Sequence, residues 1–148
     1  MGTRKKIFLL FLFIINYSIL GYVFPINSQQ EKPSSKEARN ILLKIEEGIN
    51  SGRVDLFSNF FGEKTYLSLV NGHTGYFSSS QAYYVLKDFL TIYKPYNFKL
   101  TSIVANTTNP FASGILRYSI KGIRGNAMVF ISLKYLDDRW IITQITIN

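Results

Sequence analysis

From Gly114 to Ile147 the chain alternates apolar and polar residues with the period of two that strands require. Placing Asp137-Asp138 at the centre of a two-residue hairpin sets Tyr135 opposite Trp140, Leu133 opposite Ile142 and Ile131 opposite Gln144. Placing Gly122-Ile123-Arg124-Gly125 in the turn before it pairs Ile120 with Ala127, Tyr118 with Val129, Leu116 with Ile131 and Gly114 with Leu133. Both turns put the same residues on one side, and a one-residue slip would exchange the two sides completely. The expected inner face carries Leu116, Tyr118, Ile120, Val129, Ile131, Leu133, Tyr135, Trp140 and Ile142, with Gln144 and Thr146 as polar members. The outer face carries Arg117, Ser119, Ser132 and Lys134, but also Ile115, Met128, Phe130, Ile141, Ile145 and Ile147, which makes it too apolar to be wholly wet.

Upstream the period changes. Ser34 with Glu37 forms a capping box, and Ala38, Ile41, Leu42, Ile45 and Ile49 recur at helical spacing until Asn50-Ser51-Gly52, which predicts a helix over 36–49. Val54 to Phe61 reads as a second, short helix. Thr65, Leu67 and Leu69 alternate, and the turn residues after Asn71-Gly72 lead into a brief strand at Tyr76-Phe77, a small hairpin. Ser78 with Gln81 opens a longer helix whose apolar stripe ends before Pro95. Asn97 to Ala105 alternates again, with Phe98, Leu100 and Val104 on one side. The fold class expected is α+β: a curved antiparallel sheet of four long strands plus a short hairpin, wrapped on two to three N-terminal helices.

The N-terminus changes the picture of where the chain goes. Arg4, Lys5 and Lys6 precede the unbroken apolar run Ile7 to Ile15, the charged and apolar regions of an export signal. The expected organisation is a signal peptide over 1–28, a tether over 29–35 and one domain over 36–148. Export points to a periplasmic or secreted protein; retention of residues 7–24 as an inner-membrane anchor is the alternative. The chain has no cysteine, so neither a lipid-modified cysteine nor a disulfide supports it, and the core holds the fold unaided. Removing the three leader cations from 17 Lys and Arg leaves 14 against 9 acids, so the net charge drops from +8 to +5. That excess is spread thinly along the chain, and no nucleic-acid partner is expected. Asn106-Thr107-Thr108 fits a glycosylation sequon and reads more simply as a turn.

Ile45 to Gly52, Phe60-Phe61, Gly75-Tyr76-Phe77-Ser78, Gly114 with Tyr118, and the closing Trp140-Ile141-Ile142-Thr143-Gln144-Ile145 together resemble an uncharacterised bacterial family of exported proteins, domain of unknown function 4783. That family belongs to the nuclear transport factor 2-like, or cystatin-like, superfamily. The resemblance covers residues 36–148 and implies a cone, a curved sheet around helices with a pocket at its wide end. It carries no catalytic residue across, because every position in it is a packing or turn position and the superfamily hosts enzymes and non-enzymes alike.

The resemblance implies that enzymes of the cone type usually place an Asp, Glu or His on the pocket face, since proton transfer needs a group of tunable pKa. Between Asp88 and Asp137 the sequence has none. His73 sits in a Gly-flanked turn without metal-ligand partners, Asp88 lies on the long helix opposite its Leu86 and Phe89 stripe and faces solvent, and Asp55, Glu63, Asp137 and Asp138 suit caps, loops and turns. No metal or cofactor is expected. The pocket candidates are Tyr83, Tyr93, Tyr118, Tyr135, Trp140 and Gln144; the interface candidates are Met128, Phe130, Ile141, Ile145 and Ile147. The function expected is non-enzymatic binding of a small ligand or protein partner through the cone or the outer sheet face, with a homodimer through that face as one form. The alternative is an isomerase- or dehydratase-type enzyme using the pocket.

Overall fold

The computed structural model describes residues 33–148. The expected leader at 1–28, the possible anchor within it and residues 29–32 of the tether lie outside them. Helix α1 (Ser35–Ser51) begins where the Ser34 hydroxyl accepts the Glu37 N–H at 3.4 Å, and ends at Gly52 in the left-handed region, φ 67°. It buries Ala38, Ile41, Leu42, Ile45 and Ile49, the stripe its spacing predicts. Two single turns of 3₁₀ helix, Val54–Leu56 and Ser58–Phe60, replace the short α-helix expected there. The three-residue repeat buries Val54 and Phe57 together, and the Phe57 ring meets Phe61 edge-on at 5.8 Å.

Strands β1 (Phe61–Leu69) and β2 (Thr74–Phe77) form the small hairpin. Helix α2 (Ser79–Tyr93) starts at a complete capping box: Gln81 N–H donates to Ser78 Oγ at 3.3 Å, and Ser78 N–H donates to Gln81 Oε1 at 2.9 Å. Strands β3 (Pro95–Val104), β4 (Phe111–Ile120), β5 (Ile123–Leu136) and β6 (Arg139–Ile147) follow. The sheet is curved and open, in the order β2-β1-β6-β5-β4-β3. Every neighbouring pair is antiparallel except β1 with β6, which run parallel. This α+β architecture is the one the alternation predicts; the parallel seam that joins the small hairpin to β6 is not in that prediction.

The second hairpin turns at Asp137 and Asp138, both with positive φ, and pairs Tyr135 with Trp140 and Leu133 with Ile142. The first turns not at Gly122 to Gly125 but at Lys121-Gly122, with φ 51° and 82°, so Ile120 faces Ile123 and Leu116 faces Ala127. Two residues suffice because Gly122 accepts positive φ freely. The sum of paired residue numbers changes by an even amount, so the inner residues stay inner although each has a different partner.

A second correction changes faces. Beyond Leu133 and Ile142, Ser132 pairs with Gln144 and Ile131 with Ile145, leaving Thr143 as an extra residue on β6. This bulge turns Ile145 and Ile147 inward, both 0% exposed, and sends Gln144 and Thr146 outward. The unbulged register would bury an amide and expose two isoleucines, each worth about 1.5–3 kcal/mol when buried. Thr101 does the same on β3: Phe98 and Leu100 point inward, but beyond the bulge Ile103 packs on the core and Val104 is exposed.

A threonine hydroxyl patches each of these irregularities. Thr143 Oγ1 donates to the Ser132 carbonyl at 3.1 Å and Thr101 Oγ1 to the Ser113 carbonyl at 3.2 Å. Where the β1–β6 register shifts between Phe61 and Tyr66, buried Thr65 Oγ1 donates to the Ile142 carbonyl at 3.1 Å. Each supplies a donor to a carbonyl beside a broken stretch of ladder. Gly114, one of the positions carrying the resemblance, lies opposite Leu100 beside the Thr101 bulge, and a Cβ there would run into the Lys99 carbonyl oxygen.

The core fills the space between the helices and the inner face, with Phe57, Phe89, Phe98, Leu116, Ile131 and Ile142 fully buried. α1 also closes the free edge of β3. Glu46 accepts the Leu100 N–H at 2.8 Å, and the Asn50 side chain bonds both the N–H and the carbonyl of Phe98.

Candidate functional site

The inner-face candidates separate into clusters. Tyr93, at the end of α2, stacks on Phe89 with centroids 4.4 Å apart and meets the Tyr118 ring edge-on at 5.1 Å. Tyr118 in turn lies across Gly125, where a Cβ would come within 2.7 Å of its ring. Tyr135 meets Trp140 edge-on at 5.2 Å. Tyr83 touches the Tyr84 ring at 5.2 Å, with the Lys87 ammonium 5.8 Å above its own. These rings fill space beside the core, with Tyr83, Tyr93, Tyr118 and Tyr135 half-buried and Trp140 buried. The buried indole Nε1 of Trp140 has no hydrogen-bond partner among the described residues.

Gln144 is not among them. The Thr143 bulge moves it to the outer face, where its amide donates to Thr146 Oγ1 at 2.9 Å. Ile145 and Ile147 leave the outer face for the core by the same bulge and have no surface to offer an interface. Ile141 stays outside but is buried, walling a cleft of about 330 Å³ with Gly62, Glu63, Lys64, Leu136, Asp137 and Arg139.

What stays exposed on the outer face is a compact apolar area on β4 and β5. Ile115 and Met128 are direct cross-strand partners, 38% and 59% exposed. Phe130, 37% exposed, stacks on Phe111 with ring centroids 5.8 Å apart. Val104, facing Phe111 from β3, extends the area to the sheet edge.

The histidine and the acid of the long helix sit elsewhere. His73 and Asp88 are exposed, and the His73 main-chain N–H donates to Asn71 Oδ1 at 3.3 Å. Among the described residues no three His, Cys, Asp or Glu side chains stand close enough to hold a metal ion. Glu46, which sequence reasoning passed over, is half-buried, and its carboxylate holds the Leu100 N–H. Its signal was the position next to Ile45, at the border of the buried helical stripe. No helix among the described residues is long and apolar enough to cross a membrane.

The family model of a domain of unknown function, DUF4783, matches residues 42–148. The chain belongs to this family. Among solved structures it is similar to a DUF4783 family protein from Bacteroides uniformis, at TM-score 0.64 and 19% identity over 72% of this chain and 94% of that one. A DUF4783 family protein from Bacteroides ovatus follows at 0.61 and 22%, covering 70% and 90%. An NTF-2 like protein of unknown function from Shewanella oneidensis reaches 0.52 at 17%, covering 76% and 97%. No curated protein matches the chain. The DUF4783 domain here therefore has the nuclear transport factor 2-like fold. Likeness at these identities speaks to the fold alone.

Proposed function

We propose that this DUF4783 chain is an exported, non-catalytic binding domain that meets a protein partner, a second copy of itself foremost, through the outer face of its sheet. The observation that carries the reading is the exposed area of Met128, Phe130 and Val104, with half-buried Phe111 between them, contiguous across three strands in a protein whose core is otherwise well covered. Contiguous apolar surface on a small domain usually marks a partner site, and a patch meeting its own copy needs only a two-fold axis. Export is supported by the Arg4-Lys5-Lys6 and Ile7–Ile15 pattern, and the non-catalytic reading by the lack of any Asp, Glu or His between Asp88 and Asp137.

Size-exclusion chromatography with light scattering tests it on the wild-type chain and on Phe130→Glu. The expected result is a wild-type species of twice the chain mass that reverts to the monomer in the variant. A wild type that stays monomeric and soluble at high concentration overturns the patch as a self-interface.

A second reading has its own observation. The unpartnered Nε1 of buried Trp140 favours a small ligand that supplies a hydrogen-bond acceptor at the Tyr135–Trp140 cluster. Trp140 fluorescence during ligand screening reads it directly.

A further inference from the structure

We propose that the outer face of β3–β5 carries, at the end away from Phe130, a binding site for a small oxyanion, a carboxylate or phosphate monoester borne on an apolar or aromatic body. A shallow, open cleft of about 320 Å³ lies there, lined by Tyr96, Ile115, Arg117, Arg124, Gly125 and Asn126. In the β4–β5 ladder Arg117 faces Asn126 and Arg124 faces Ser119. The two arginines are therefore diagonal neighbours on adjacent strands, about 7–8 Å apart at that ladder spacing. Side chains of that length converge easily on one anion.

Tyr96 prepares one of them. It is the extra residue where the β3–β4 register shifts between Pro95 and Asn97, and its ring lies 5.7 Å from Arg124 Cζ. An aromatic face holds a guanidinium in place while leaving the N–H groups on its rim to bind a carboxylate or phosphate through paired hydrogen bonds. Asn126 adds an amide beside Arg117, and Ile115 with the Tyr96 ring gives the apolar body of the ligand a surface to rest on.

The charge around the cleft is one-sided. From Phe89 to Leu136 the chain has Lys94, Lys99, Arg117, Lys121, Arg124 and Lys134 and not one Asp or Glu. Among the described residues the one ion pair joins Arg53 to Asp55, so neither cleft arginine has a carboxylate within 4.0 Å. Two arginines with no carboxylate partner among the described residues, set in a shallow cleft with an apolar wall, concentrate positive potential on a small volume. That volume is at the lower end for ligand sites, which fits a one-ring anion. A nucleic-acid backbone would need cations along a much longer track. The site stands on different residues from the self-interface, apart from Ile115 at the border, and does not rest on it.

Phenyl phosphate and benzoate, with benzyl alcohol as the neutral control, test the site by amide NMR titration of the chain and of Arg117→Gln/Arg124→Gln. Both arginines are exposed, so the double variant keeps the fold, which its unperturbed core amide shifts verify. The expected result is saturable shifts at Tyr96, Arg117, Arg124, Gly125 and Asn126 with the two anions and none with benzyl alcohol, and affinity weakened roughly tenfold or more in the variant. Vesicles of phosphatidic acid, whose headgroup is a phosphate monoester, in phosphatidylcholine distinguish a lipid headgroup from a free ligand. Vesicle binding lost in the variant assigns the anion to a headgroup; indifference to vesicles with phenyl phosphate bound assigns it to a free molecule. Shifts spread evenly over all surface cations, no saturation, or equal binding by the double variant would overturn the proposal. Light scattering of the double variant is expected to match the wild type, so failure here is distinct from failure of the self-interface.

Discussion

Asn50 holds the main chain of Phe98 at both ends: its amide donates to the Phe98 carbonyl at 2.7 Å, and its carbonyl oxygen accepts the Phe98 N–H at 2.5 Å. β3 is the last strand of the sheet, so these groups have no neighbouring strand, and the helix supplies what a seventh strand would. Asn50→Ala is expected to destabilise the domain by about 1–3 kcal/mol, because a donor and an acceptor both lose a partner. Asn50→Asp keeps the acceptor alone and is expected to fall between. Urea unfolding measures both; an alanine variant as stable as the wild type would mean that water serves this edge equally well.

Ile147 and Met128 test the bulge. Simple alternation puts both on the outer face, whereas the structure leaves Met128 exposed and encloses Ile147. Ile147→Ala is therefore expected to cost about 2–5 kcal/mol, the range for a core cavity. Met128→Ala is expected to stay within about 0.5 kcal/mol, as exposed substitutions do. Equal effects in denaturant unfolding would return both residues to one face.

The contrast shows where sequence reasoning reaches and where it stops. Helix limits were legible because Ser34, Ser78 and Gln81 act within one turn of their own position, and the Asp137-Asp138 hairpin because its turn chemistry is local. The Thr143 bulge was not, since an alternating string reads the same until the inward pull of Ile145 and Ile147 is weighed against Gln144 and Thr146. The parallel β1–β6 seam joins residues some 80 apart, as Phe61 with Ile142, and no short-range pattern announces it. Of the candidate surface, Met128 and Phe130 were legible from alternation. The Arg117–Arg124 cleft was not: charge along the chain looks diffuse, and only the Lys121-Gly122 turn folds two arginines seven residues apart into cross-strand neighbours.

Thr65 offers a sharper test of how the sheet tolerates irregularity. It is fully buried, and its hydroxyl donates to the Ile142 carbonyl where β1 and β6 lose their ladder. Thr65→Val preserves shape and removes the donor, so the loss is expected at about 1–3 kcal/mol. Thr143→Val is expected to cost less, because Thr143 and Ser132 are both only half-buried where Thr65 is fully enclosed. A Thr65→Val variant of wild-type stability in thermal or urea unfolding would show that the Ile142 carbonyl finds another donor.

The Arg53–Asp55 pair gives a pH signature whose sign the structure fixes. The Arg53 guanidinium hydrogen-bonds the Asp55 carboxylate at 2.8 Å and holds its pKa below the usual aspartate range, while the same bond raises that of Arg53. A carboxyl with a depressed folded pKa adds stability above its unfolded pKa, and that increment disappears as pH falls through the folded value, where the unfolded chain binds the proton first. The wild type is therefore expected to lose its small advantage over Asp55→Asn between the ordinary aspartate range and more acid pH, and to keep it unchanged toward neutrality. Both side chains are exposed, so salt is expected to shrink the difference at every pH. Urea midpoints across that acid window at low and high salt decide it: parallel curves for wild type and Asp55→Asn would mean that the pair forms no bond that folding depends on.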